Sequence, residues 1–110
     1  MIEPSANFKE NLARLPSIDG IVRIELRGAD ERLDSVIENQ PGKQGSLAVY
    51  HYLQQQFGTL DARAAAHGLA VFGEHTADAL AHPGKHPNVD RLLALRDGAP
   101  PYTVRVVRAA

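Results

Sequence analysis

One stretch of seven residues limits what this chain can become. From Ile21 to Arg27, Val22, Ile24 and Leu26 interleave strictly with Arg23, Glu25 and Arg27. That period of two is the pattern of a strand with one face buried and one face wet. Comparable alternation returns only near the other end, in Tyr102–Arg108, with Tyr102, Val104 and Val106 expected inward and Thr103, Arg105 and Val107 outward. Between them lies sequence with helical spacing. Strands at both ends and helices in the middle predict an α+β domain whose sheet is assembled from distant segments and covered by helices on one face.

The rest of the sheet follows from turn chemistry. Gly28-Ala29-Asp30-Glu31 reads as a turn, and Leu33–Glu38 resumes a looser alternation, so residues 21–38 predict a β-hairpin. Ser35 and Val36 fall out of phase, which places the second hairpin strand at an edge. The expected sheet has three strands, the N-terminal hairpin plus the C-terminal strand, with 21–27 in the centre. All of residues 1–110 form one domain on length alone.

The helices are read from spacing and caps. Phe8, Leu12 and Leu15 share a face in a short N-terminal helix over 5–15, with Ser5 as its cap and Pro16 as its stop. Ser46 is the expected cap of a helix with Val49, Tyr50, Leu53 and Phe57 on its core face, ended by Gly58. Thr59 or Asp61 caps a segment running to about Ala81, with the stripe Ala62, Ala65, Leu69, Phe72, Thr76 and Leu80. Gly68 either admits a close neighbour there or breaks the segment in two. Asn88 is the expected cap of a last helix bearing Val89, Leu92, Leu93 and Leu95, closed by Gly98.

Composition removes several functions. No cysteine is present, which excludes disulfides, thiolate zinc sites and a cysteine nucleophile. A net charge of −1 argues against nucleic acid as the partner. No window approaches a membrane span, and charges and prolines interrupt the N-terminus where a signal peptide needs an apolar run. The expected location is cytoplasmic.

Three features remain that could carry chemistry. Pro41-Gly42-Lys43 and Pro83-Gly84-Lys85 each precede a cap and an apolar residue, Ser46-Leu47 and Asn88-Val89. Lysines, glycines and helix N-termini together suit an anion. The residues that would meet an anionic small molecule are Lys43, Ser46, Lys85, His86 and Asn88. Ile37 and Ala79 stand where a Walker motif needs glycine, so neither loop is a P-loop, and Pro-Gly also simply writes a turn. The five histidines are the second feature. His75, Asp78 and His82 have the spacing of a metal set on a helix, but they fall among residues expected on a solvated face, so no metal is expected. The third is the outer sheet face, where Arg23, Arg27 and Arg105 offer an interaction surface lacking the aromatic platforms of single-strand binders. No residue pattern requires a cofactor.

The segments QPGKQGSLAVYHYL (40–53) and EHTADALAHPGKHPNVDRLLAL (74–95) carry His75-Thr76, Pro83-Gly84-Lys85-His86-Pro87-Asn88 and Asp90-Arg91-Leu92. In this combination the chain resembles a family of small uncharacterised bacterial proteins, a domain of unknown function. The resemblance implies a bacterial origin and brings no activity, cofactor or catalytic residue. With no catalytic motif in the sequence and a short sheet that leaves two edges and a face to cover, the expected function is a non-catalytic binding or adaptor domain that self-associates as a homodimer. The alternative is a binder of, or enzyme acting on, a phosphorylated small molecule at the two Pro-Gly-Lys loops.

Overall fold

The computed structural model describes residues 1–110. The elements are α1 (Phe8–Leu12), β1 (Ile21–Arg27), β2 (Leu33–Glu38), α2 (Gln44–Phe57), β3 (Thr59–Leu60), α3 (Ala62–Val71), α4 (Glu74–Ala81), α5 (Pro87–Arg96) and β4 (Tyr102–Arg108). The fold is α+β, as expected, and β1 lies centrally with β2 at one edge. The sheet has four strands rather than three, in the antiparallel order β2-β1-β4-β3. Gly58, at a φ of 76°, turns the chain out of α2 so that Thr59 and Leu60 pair with Thr103 and Tyr102. Two residues are too short to show a period, so this strand left no pattern to read.

The alternation of β1 holds from Ile24 onward and slips before it. Pairing with β4 jumps from Ile21–Arg108 to Arg23–Val107, so Val22 is the extra residue of a bulge. Ile21 is buried in its place, and Val22 is 40% exposed.

Helix α2 is the centre of the domain. Leu47 through Leu53 are all buried, a run of seven, and a helix apolar on every side is one surrounded by protein. It touches β1, β2 and β3 as well as α1 and α3. The expected stripe of Val49, Tyr50 and Leu53 is therefore only part of the buried surface, and Phe57 is half-buried at the end.

The segment after β3 breaks at Gly73, not at Gly68. Gly73 has a φ of 57°, and a Cβ there would lie 2.7 Å from the carbonyl oxygen of Ala6 and 2.9 Å from the amide of Phe8. Gly68 stays helical and instead admits Leu53 and Leu92. The break resets the phase of the helix, so Ala79 is buried and Leu80, expected inside, is 58% exposed. Asp61 does cap α3, accepting from the amide of Ala64 at 3.0 Å.

Helix α1 is shorter than expected and is capped by Asn7, whose Oδ1 accepts from Glu10 at 3.0 Å. Its anchor is Asn11, which is fully buried. The side chain accepts from Ser5 N at 2.8 Å and donates to Ser5 O at 2.9 Å and Val71 O at 3.0 Å. One amide thus satisfies three backbone groups and pins the N-terminal segment to α3.

Candidate functional site

The two Pro-Gly-Lys loops, widely separated in sequence, open onto one cleft of about 630 Å³. Gly42, Lys43, Gly45 and Ser46 form one wall, and Lys85, His86, Asn88 and Arg91 form another. Phe8, Phe72 and His75 line it as well. The Phe8 and Phe72 rings stack with centroids 5.4 Å apart, and His75 meets Phe8 edge-on at 4.9 Å. All five residues expected to meet an anion, Lys43, Ser46, Lys85, His86 and Asn88, are therefore brought together.

The caps differ from expectation. Helix α2 begins at Gln44, so Ser46 lies in its first turn rather than capping it. The amides of Gln44, Gly45 and Ser46 have no acceptor in the protein, because the first α2-type bond from this end is Leu47 N to Lys43 O. These are the orphan donors of a helix start. Helix α5 begins at Pro87, after His86, and Asn88 is its second residue. Proline brings no N–H, and the amides of Val89 and Asp90 are bonded to His86 O. In the first turn of α5 this leaves the amide of Asn88 open.

Electrostatically the cleft is one-sided. None of its 16 lining residues is acidic. Asp78 stands behind the wall, with Oδ2 at 2.6 Å from His86 Nε2 and 2.9 Å from Lys85 Nζ. The His86 hydrogen bond and then the Lys85 ammonium hold its carboxyl at about 2, well below the usual range. Lys85 is thus partly neutralised, and Nε2 of His86 is already engaged. Lys43 has no ion-pair partner.

Arg91, which spacing and motif left unmarked as a site residue, is the second uncompensated cation. Its Nη1 donates to Tyr50 Oη at 3.0 Å and to Asn88 Oδ1 at 2.8 Å, and the guanidinium stands over the Tyr50 ring at 5.6 Å. Tyr50 in turn donates to Asn88 O at 2.6 Å. Burial pushes the Tyr50 phenol up to about 12, so it remains a neutral donor. Arg91 is held by neutral partners, so its charge is positioned without being cancelled. Its place three residues after Asn88 on one helix was the available signal, since such residues are neighbours.

The metal-type spacing of His75, Asp78 and His82 does not produce a metal cluster. No group of three His, Asp or Glu side chains stands where it could share an ion. His82 Nε2 is 3.8 Å from Asp78 Oδ1, while His75 turns to the rings of Phe8 and His86. His67 pairs through Nε2 with Tyr52 Oη at 2.8 Å, and that phenol also accepts from Ile2 N.

On the outer sheet face, Glu25 binds Arg23 Nε and Arg27 Nη2, both at 2.9 Å. These two hydrogen bonds hold the Glu25 carboxyl below its ordinary range. Arg23 and Arg27 are therefore committed, and Arg105 alone of the three arginines is without a carboxylate partner.

No helix is long and apolar enough to cross a membrane. Neither a curated protein nor a solved structure matches the chain. Residues 8–106, which include both walls of the cleft, match the family described as an uncharacterized protein conserved in bacteria (DUF2322), and the chain belongs to that family.

Proposed function

We propose that the protein is a non-catalytic binding domain for an anionic, phosphate-bearing small molecule held between the two Pro-Gly-Lys loops. The observation that carries this reading is the convergence of both loops on a single cleft without an acidic lining residue. Lys43 and Arg91 supply charge, and the amides of Gly45, Ser46 and Asn88 supply directed donors. The start of a helix favours an anion by about 0.3–1 kcal/mol when exposed and more when partly buried. Added to two cations, this supports affinities between about 1 mM and 1 μM. The stacked Phe8 and Phe72 give the ligand's apolar part a surface to lie against.

The test is an NMR titration of labelled protein with phosphate, sulfate and a nucleotide, each to ~10 mM, about ten times the weakest affinity proposed. The amides of residues 42–47 and 84–90 should shift, and K43A should weaken binding about five-fold, roughly the 1 kcal/mol of one exposed charge contact. Amides unmoved by all three anions would make the loops plain turns.

A further inference from the structure

A second cleft, of about 530 Å³, lies along the last strand of the sheet. Strand β3 pairs with β4 only at Tyr102 and Thr103. From Val104 onward the edge of β4 facing away from β1 has no neighbouring strand. Such an edge is a template for one more strand. Beside it, helix α2 contributes His51, Gln54 and Gln55.

Two independent observations single this edge out. The first is charge. Arg105 and Arg108 line the cleft beside Arg27, which Glu25 already neutralises, against one acidic residue, Glu31. Neither Arg105 nor Arg108 has a carboxylate partner. Arginines also discourage uncontrolled pairing at an edge, so charge alone does not indicate a partner. The second observation is His51, only 3% exposed and lining the same cleft, with its Nδ1 lacking any hydrogen-bond partner. A buried polar atom left unmade costs about 1–3 kcal/mol, and buried polar groups without partners are rare enough to need a reason.

The spread of the charges identifies the occupant. The two free charges are Arg105, opposite Glu25, and Arg108 at the end of β4, opposite Ile21. From Arg105 to Arg108 the strand covers about 10 Å at the usual rise per residue, and the two side chains leave it on opposite faces. One phosphate or carboxylate cannot answer charges so far apart, whereas an extended segment can. Alternation puts Arg105 on the outer face with Arg27, and Arg108 on the inner face with Val104 and Val106. Acidic side chains on either face of an added strand would each find an arginine.

We infer that the open edge of β4, from Val104 to Arg108, receives an extended acidic peptide segment of a partner protein as a fifth strand. Backbone hydrogen bonds supply affinity and the arginines supply selection, the division of labour in strand addition. This surface is separate from the cleft of the Pro-Gly-Lys loops and does not rest on it.

The test uses three synthetic nonapeptides titrated into labelled full-length protein. One alternates Val or Thr with Asp or Glu, one replaces the acids with Lys, and one keeps the acids but has proline at every other position. The acidic peptide should shift the amides of Thr103–Arg108 and the ring signals of His51, and slow amide exchange along that edge. The lysine and proline peptides should do neither, and R105A/R108A should weaken the acidic peptide at least ten-fold. Unmoved amides at ~1 mM acidic peptide, the weak end of specific binding, would overturn the inference. Equal binding of the proline peptide, or equal shifts with citrate alone, would replace it with a charged patch that adds no strand. Shifts that appear on raising protein concentration without peptide would make the occupant a second copy, and the acidic-partner inference would be wrong.

Discussion

Nε2 of His86 lies 2.6 Å from Oδ2 of Asp78, and the ammonium of Lys85 reaches the same oxygen at 2.9 Å. One carboxylate thus ties the end of α4 to the second Pro-Gly-Lys loop and to the start of α5. Its carboxyl titrates at about 2 in the folded protein, lowered by His86 first and Lys85 second, against about 4 in an unfolded chain. A depressed carboxyl gives stability that is full above about pH 4 and is lost as pH falls through about 2. Denaturant unfolding of the wild type and D78N between pH 2 and 7 should show a gap that narrows over that window. A gap of constant size down to pH 2 would contradict the assignment.

Asn11 is the second target. Truncation in N11A leaves Ser5 N, Ser5 O and Val71 O without their partner. At about 1–3 kcal/mol for a buried group left unsatisfied, and with the exposed end of the segment able to recruit water, the expected loss is about 2–4 kcal/mol. Urea denaturation measures it, and a loss under about 1 kcal/mol would mean the N-terminal segment is not anchored there.

Gly73 and Gly68 should behave differently when changed to alanine. At Gly73 the added methyl would meet the backbone of Ala6 and Phe8 at a positive φ, and neither can move without unseating α1. At Gly68 it would meet the methyl ends of Leu53 and Leu92 at 2.7 and 2.8 Å. Both leucines are fully buried, so overpacking of about 1–3 kcal/mol is offset by about 1 kcal/mol of helix preference for alanine over glycine. Thermal melts should therefore order the stabilities as wild type, then G68A, then G73A. The reverse order would relocate the break.

His51 gives a prediction of opposite sign. Replacing it by Phe removes the unpaired Nδ1 from the interior and should stabilise the free protein by about 1 kcal/mol at pH 7. Burial, and then the charge of Arg108, lower its pKa. The unfolded chain therefore binds the proton more readily, and wild-type stability is full above about pH 6.5 and declines below it. H51F should lack that decline. Equal pH profiles for the two proteins from 7.5 to 5 would remove His51 as its source.

How much of this was legible beforehand depends on how far each feature reaches. The alternation of β1 and β4 is local, and so is the turn at 28–31, which is why the central strand and the edge hairpin strand came out correctly. Strand β3 exists only because Tyr102 and Thr103 are present to pair with it, and no pattern in Thr59-Leu60 could announce that. Gly68 and Gly73 look alike in sequence. They differ because the backbone of Ala6–Phe8 crosses one, and leucine side chains pack on the other. At the cleft, lysine, glycine and helix-start chemistry marked the two loops. Arg91 was marked only by the family resemblance and not as a site residue, because its importance comes from Tyr50, on another helix.

The pairing of β1 with β4 has a consequence for the order of events in folding. Ile24 meets Val106 and Leu26 meets Val104, residues separated by about three-quarters of the chain. Hairpin and helices can form as soon as they are synthesised, but β1 has no strand partner on one side until β4 emerges from the ribosome. Contacts of such long sequence separation slow folding, because the loop must close before they reward it. For most of its synthesis, then, the nascent chain carries β1 with one edge unpaired, the kind of exposed strand edge that makes a partly folded chain prone to aggregate.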